Sequence, residues 1–402
     1  LTIAMRLIAL SGPDDLRREL ERCGVSAEAA GQLADRVFTR LVRISDVPRE
    51  WTERLADAAR GIGCEILSTE GVSGTAEVRD LWLCGTDRTL QQLSLAGSQS
   101  GFLPADLAAG LSRLAESLVG PPGFLDGRFC RLHLDRPLIM GVLNVTPDSF
   151  YPDSRFPGGE SALHRGLQLA AEGADLIDIG GESTRPGASP VSLQEELDRV
   201  VPVIERLRRE TGCPLSVDTT KSAVARAAVA AGASFVNDIS GLQFDAGMVE
   251  AVAQSGAGLF LMHTRGRPDR MQEDTAYTDL LGEIVACLRT GLERAQAAGI
   301  AVEKVAIDPG IGFGKSAEGN LEILHRLREL HGLGRPVLLG TSRKSFIGRA
   351  LGQIDPAQRL AGTLATIALG VAAGAQVFRV HDVRQAREAA LMAWAICRRQ
   401  KP

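Results

Sequence analysis

The stretch that decides the fold is Pro137–Phe150, PLIMGVLNVTPDSF. Its apolar run, Leu138–Val145, is too short for a membrane span and reads as a buried strand. It breaks at Thr146-Pro147-Asp148, a turn signal. Everything after it repeats one beat: short apolar strand, polar residues at its C-terminal end, amphipathic helix. Everything before it lacks that beat. This stretch is therefore the first strand of a barrel, and the preceding segment is a separate addition.

Counting outward gives eight strands: Leu138–Val145, Leu176–Gly180, Leu215–Asp218, Phe235–Ile239, Gly258–Met262, Val305–Asp308, Val337–Thr341 and Val377–Val380. Helical patterns fill the gaps, among them Ser192–Arg209, Lys221–Ala231, Tyr277–Ala298 and Ala357–Gly374. Eight strand–helix repeats predict an α/β fold of the (β/α)8 TIM-barrel type, over 126–402. Residues 1–125 predict a small α/β N-terminal domain. Its helices are expected at Asp14–Cys23, Ala27–Val37, Pro48–Ile62, Arg88–Ala96 and Pro104–Val119. Its strands are expected at Arg6–Leu10, Thr39–Ile44, Cys64–Ser68 and Asp80–Cys84. It carries no cluster of catalytic residue types, and a docking or oligomerisation role suits it better.

Composition narrows the function. The 402 residues are 45% hydrophobic and 23% charged, normal for a soluble globular chain. A net charge of −4 and a pI near 6.0 argue against a general nucleic-acid binder, and 4% aromatics leaves little for base stacking. Seven scattered cysteines without a C-x-x-C pair predict reduced thiols and a cytoplasmic location. No signal peptide is evident, and the Ala/Gly-rich Leu364–Val377 falls short of the roughly 20 residues of a span, so no membrane role is expected.

A barrel of this type keeps its chemistry at the C-terminal ends of its strands. Those ends carry Asn144; Asp178 and Glu182-Ser183-Thr184-Arg185; Asp218; Asn237 and Asp238; Met262 and His263; Asp308 and a glycine-rich run to Lys315; Ser342-Arg343-Lys344; and Arg379, His381 and Asp382. Any one of these reads equally well as a cap or turn former. The whole set on one rim does not.

The set divides by charge. Asp218, Asn237 and Asp308 suit a ligand with a guanidine-like edge, such as a pterin or guanine, because buried carboxylates need N–H donors in pairs. Lys344 suits a ring carbonyl, and Met262 or Phe313 a ring face. Arg379, His381, Asn144 and Thr184 suit a phosphate or diphosphate, with Asn144 offering a neutral oxygen to Mg²⁺. A heterocycle at one end and a diphosphate at the other imply group transfer with diphosphate leaving.

At these residues the chain resembles the dihydropteroate synthase family over about 137–390. The resemblance rests on LNVTPDSF at 143–150, DIGGESTRPGA at 178–188, SVDTTK at 216–221, VNDISG at 236–241, DPGIGFGKS at 308–316, GTSRKSFIG at 340–348 and RVHDV at 379–383. It implies a transferase of folate biosynthesis joining (7,8-dihydropterin-6-yl)methyl diphosphate to 4-aminobenzoate, with Mg²⁺, as a homodimer, and as a sulfonamide target. It implies that Asp218, Asn237, Met262, Asp308, Phe313 and Lys344 bind the pterin, with Asp218, Lys344 and Arg379 catalytic. Asn144, Thr184, Arg379 and His381 would hold diphosphate, Asn144 the metal, and Phe150, Arg185, Pro186, Lys344 and Ser345 the aminobenzoate. One departure follows Phe150, where the family's Ser-Asp-Gly-Gly is replaced by Tyr151–Gly159, with Pro152 and Pro157 stiffening the loop. The rival readings are a methyltetrahydrofolate–corrinoid methyltransferase, which needs no diphosphate site, and a non-catalytic barrel scaffold.

Overall fold

The computed structural model describes residues 12–68, 78–100, 103–146, 158–183, 190–352 and 355–398. The chain divides into two compact units, between Val119 and Gly120. Arg6–Leu10 lies outside the described residues.

The first unit opens with helices α1 (Pro13–Arg22) and α2 (Ala27–Val37). Ser26 caps α2, its hydroxyl accepting the Ala29 N–H. Strand β1 (Thr39–Pro48), helix α3 (Arg49–Ile62), strands β2 (Glu65–Ser68) and β3 (Val78–Thr86), and helices α4 (Asp87–Ser100) and α5 (Ala105–Ser117) follow. The three strands form an antiparallel sheet in the order β1-β3-β2. Alternation sends Leu81 and Leu83 of β3 inward, where they meet Leu55 and Ala59 of α3 and Leu90 and Leu93 of α4.

The second unit begins with an antiparallel hairpin, β4 (Phe124–Asp126) and β5 (Arg131–His133). Eight parallel strands follow: β6 (Leu138–Asn144), β7 (Leu176–Gly180), β8 (Leu215–Asp218), β9 (Phe235–Asp238), β10 (Gly258–Met262), β11 (Val305–Asp308), β12 (Leu338–Leu339) and β13 (Val377–Val380). Their order, β11-β10-β9-β8-β7-β6-β13-β12, is the sequential order of a barrel. An Ile307–Val337 bridge joins the two ends. Every residue of β7, β8, β9, β10 and β11 is buried, so these strands read as near-continuous apolar runs. β12 keeps only two residues of the expected Val337–Thr341, because Gly340 and Thr341 leave the ladder to enter a turn.

Among the described residues nine α-helices flank the strands: α6 (Gly158–Ala171), α7 (Leu193–Glu210), α8 (Ser222–Ala231), α9 (Met248–Ser255), α10 (Leu280–Ala297), α11 (Ala317–His325), α12 (Ser345–Leu351), α13 (Leu360–Ala372) and α14 (Val383–Arg398). Ser192, Asp279 and Ser316 cap α7, α10 and α11 through their side chains. Their apolar stripes press Val200, Ile204, Leu207, Val229, Leu288 and Ile367 onto the strands, each fully burying about 1.5–3 kcal/mol of side chain.

The two ends of the barrel differ. At the N-terminal end, Leu125 and Leu132 of the hairpin pack with Leu138, Leu176, Phe235, Phe260 and Val377. The Arg128 N–H donates to Ser234 O, and its guanidinium to Ser255 O. That end is sealed by apolar packing. The C-terminal end holds the ionisable groups. No helix among the described residues is long and apolar enough to cross a membrane.

Candidate active site

Asp178 is the anchor of the C-terminal rim. It sits in the middle of β7, fully buried, where a charge persists only with partners. Its Oδ2 accepts Asn237 Nδ2 at 2.8 Å and Arg379 Nε at 2.7 Å. Arg379 then reaches from β13 to Asp218 at the end of β8, Nη2 to Oδ2 at 2.7 Å. One guanidinium thus spans two buried carboxylates. Burial disfavours its charge, but Asp178 and Asp218 outweigh that and raise its pKa. Asp218 responds differently: burial pushes its carboxyl up to about 7, with Arg379 pulling the other way.

The strand ends around this pair enclose a cleft of about 420 Å³. It brings together Asp218, Asn237, Met262, Asp308, Phe313, Lys344, Arg379 and His381, eight of the residues expected from sequence. Asn237 Oδ1 is buried there with no hydrogen-bond partner, and Asp178 Oδ1 is likewise without one. Asp308 accepts the Gly310 N–H at 2.6 Å, and burial raises its pKa. Lys344 donates to the Ile311 carbonyl and lies 4.8 Å from the centre of the Phe313 ring. Burial lowers it to about 8, against the pull of Asp308.

The loop after β11 owes its shape to glycine. Gly310 has φ 69, and a Cβ there would meet the His263 carbonyl oxygen at 1.8 Å. Lys315 closes the loop from within. Its Nζ donates to Phe313 O at 2.8 Å and lies 2.9 Å from His263 Nδ1. Both groups are buried, and burial drives His263 down to about 3 and Lys315 down to about 7. A neutral imidazole accepting at Nδ1 from the Lys315 Nζ fits the lowered His263, and burial of both groups fits the lowered Lys315.

Not every expected residue converges. Asn144 ends β6, half-buried and paired in register with Gly180, and does not line the cleft. Ser345 opens α12 as an exposed residue. Asp238 turns away, binding the Ser240 and Leu242 N–H groups. Phe150, Thr184, Arg185 and Pro186 lie outside the described residues, as does 151–157.

Sequence reading gave no role to Asp178, Ile239, Gly340 or Ser342, which anchor or line the cleft. Asp178 carries the readable signal, a carboxylate inside the apolar strand LIDIG. A second hollow of about 590 Å³ adjoins through Asp218 and Ile239 and is lined by Thr219, Thr220, Phe244 and Arg267. Beside it, Lys221 Nζ lies 2.5 Å from both Glu182 Oε2 and Glu196 Oε2.

A (β/α)8 barrel whose C-terminal rim pairs buried carboxylates and an unsatisfied amide with Arg, Lys and His has a rim suited to a nitrogen heterocycle beside an anion. The chain belongs to the pterin binding enzyme family, whose model matches residues 140–381. It is 47% identical to the dihydropteroate synthase of Synechocystis, over 65% of this chain and 91% of that one. The Bacillus subtilis dihydropteroate synthase is 46% identical, over 64% of this chain and 88% of that one. A Xanthomonas albilineans dihydropteroate synthase solved with 4-aminobenzoic acid superposes with a TM-score of 0.66 at 46% identity, covering 70% of this chain and 99% of that one. The same organism's enzyme in complex with 7,8-dihydropteroate gives a TM-score of 0.63 at 43% identity, covering 69% and 100%.

Proposed function

We propose that the chain catalyses dihydropteroate synthesis, transferring a dihydropterin-methyl group from diphosphate to the amine of 4-aminobenzoate. The observation that carries this reading is Asn237 Oδ1, a buried acceptor left without a partner in a cleft that also holds Asp218 and Asp308. Such a floor demands a ligand rich in N–H groups, and a pterin edge supplies them. Its relatives at 43–47% identity are dihydropteroate synthases.

In this reading Asp218, Asn237 and Asp308 hold the pterin N–H edge, and Met262 and Phe313 flank the ring. Lys344 donates to the ring carbonyl. The methylene–oxygen bond to diphosphate breaks, leaving positive charge on the dihydropterin that Asp218 stabilises. Arg379 and His381 balance the charge of the leaving diphosphate. The aminobenzoate nitrogen then bonds to the methylene carbon and gives up a proton to water. Thr184 completes the diphosphate site, and Phe150, Arg185, Pro186, Lys344 and Ser345 the aminobenzoate site.

Mg²⁺, where bound, would be held mainly by diphosphate oxygens and water, with Asn144 the one protein ligand expected. Among the described residues there is no group of three His, Cys, Asp or Glu placed to hold a metal. Asn144 ends β6 half-buried outside the cleft lining, and its one neutral side-chain oxygen would be a single ligand beside phosphate oxygens and water. That ion supplies charge neutralisation for the leaving group. A homodimer through the barrel helices is supported by Leu369 of α13 and Met392 and Ile396 of α14, which are 62–66% exposed. Reduced thiols support a cytoplasmic setting: all seven cysteines are free.

The test is diphosphate release from dihydropterin-methyl diphosphate and Mg²⁺, with and without 4-aminobenzoate. Release coupled to dihydropteroate is expected, falling about 10²–10³-fold in Asp218→Ala. A folded protein that binds the pterin and releases nothing defeats the proposal.

A further inference from the structure

Arg343 does not line the cleft, yet Ser342 and Lys344 on either side of it do. The Lys344 N–H donates to Thr341 O at 3.2 Å, closing a four-residue turn with Arg343 at its third position. There Arg343 has φ 57, the left-handed region that turns of this kind reserve for Gly or Asn. An arginine in such a place calls for a reason in its side chain.

The side chain supplies one. Its fork meets Asp382, with Nε to Oδ2 at 2.8 Å and Nη2 to Oδ1 at 2.5 Å. The backbone is held as well. Thr363 Oγ1 of α13 accepts the Arg343 N–H at 3.0 Å, and Arg359 donates to the Arg343 carbonyl at 2.9 Å. One residue earlier on each segment, a second tie runs in parallel: Ser342 Oγ accepts the His381 N–H at 3.2 Å and lies 2.9 Å from His381 Nδ1. Two consecutive residues after β12 are thus fastened to two consecutive residues after β13. Of the fastened residues, Ser342 and His381 line one side of the cleft.

We propose that Arg343, acting through Asp382, is a positioning residue that holds Ser342 and His381 in the geometry the leaving diphosphate requires. The proposal rests on the proposed function. A bidentate guanidinium fixes both distance and plane, which an ammonium does not. Neither Asp218, Asn237 nor Asp308 touches this brace. Its loss therefore falls on the diphosphate end of the site and spares the pterin floor.

The test uses Arg343→Gly, which keeps the left-handed turn without strain and removes the fork, and Asp382→Asn, which keeps the side-chain shape. Each is measured for turnover, for binding of inorganic diphosphate with Mg²⁺, and for binding of 6-hydroxymethyl-7,8-dihydropterin. Turnover is expected to fall about 10²-fold, as misplaced reacting groups do. Diphosphate affinity is expected to fall with it while the pterin alcohol binds as before. Because both residues act as one unit, the double variant loses no more than the worse single variant. Arg343→Lys rescues only in part.

Folded variants with unchanged turnover and diphosphate binding overturn the proposal. So do losses that fall equally on the pterin alcohol, or that add in the double variant. Absence of turnover in the unaltered protein would break the proposed function instead, while the diphosphate titration still reads the brace.

Discussion

The two units of this chain use charge in opposite ways. In the first, buried or half-buried acids pair with arginines one helical turn away, Asp15 with Arg18 and Glu19 with Arg22. Its longer-range pairs, Arg40–Asp87 and Arg43–Asp80, lie at the surface. On the barrel rim the partners come from distant sequence: Arg379 meets Asp178 across 201 positions and Asp218 across 161. Local and exposed pairs form cheaply and stabilise little. Buried, non-local ones cost desolvation, and a fold retains them where the charge has work to do. These first-unit pairs are short-range or surface-lying, and those of the rim are buried and non-local.

The strongest way to break this contrast is Arg379→Ala. It leaves Asp178 and Asp218 buried beside one another with no counter-charge. A loss of about 3–5 kcal/mol in urea unfolding is expected, together with loss of turnover. A loss below about 1 kcal/mol would place this pair in the same category as the surface ones.

A subtler test uses pH. The Asp218 carboxyl titrates near 7 in the folded protein because burial raises it above the usual carboxylate range. Between about pH 4 and 7 the folded state therefore holds a proton the unfolded chain has released, and the free protein loses stability as pH rises through that window. The ionised carboxylate is the form that accepts pterin N–H groups. Affinity for a pterin without diphosphate should rise about tenfold from pH 6 to 8, as the ionised fraction does for a group near 7. A flat profile, or the same slope in Asp218→Asn, would assign the titration to another group.

The smallest effect is expected in the first unit. Arg40→Ala breaks an exposed pair with Asp87, and unfolding should shift by less than about 1 kcal/mol with turnover unchanged. A large drop in turnover would show that the first unit serves the chemistry after all.

Much of this was legible in the sequence, because strands buried on both faces are written as apolar runs. Leu176–Gly180, Leu215–Asp218, Gly258–Met262, Val305–Asp308 and Val377–Val380 stand where the pattern placed them. β12 did not, since two ladder residues beside a glycine carry too little pattern to bound a strand. Rim residues at strand ends were legible for the same reason; Asp178, read with them, lies instead in the middle of its strand, where it anchors Asn237 and Arg379.

Local chemistry, then, determined the element order, the barrel and the list of polar strand ends. Periodicity and turn residues act over a few positions and survive in a linear text. Tertiary structure decided who meets whom: that one guanidinium joins Asp178 to Asp218, that Lys315 leans on His263, and that Arg343 in a glycine's place is held by Asp382. It also turned Asp238 away from the cleft. Those choices depend on barrel closure, which brings strands far apart in sequence to one rim and removes the water that would otherwise screen their charges.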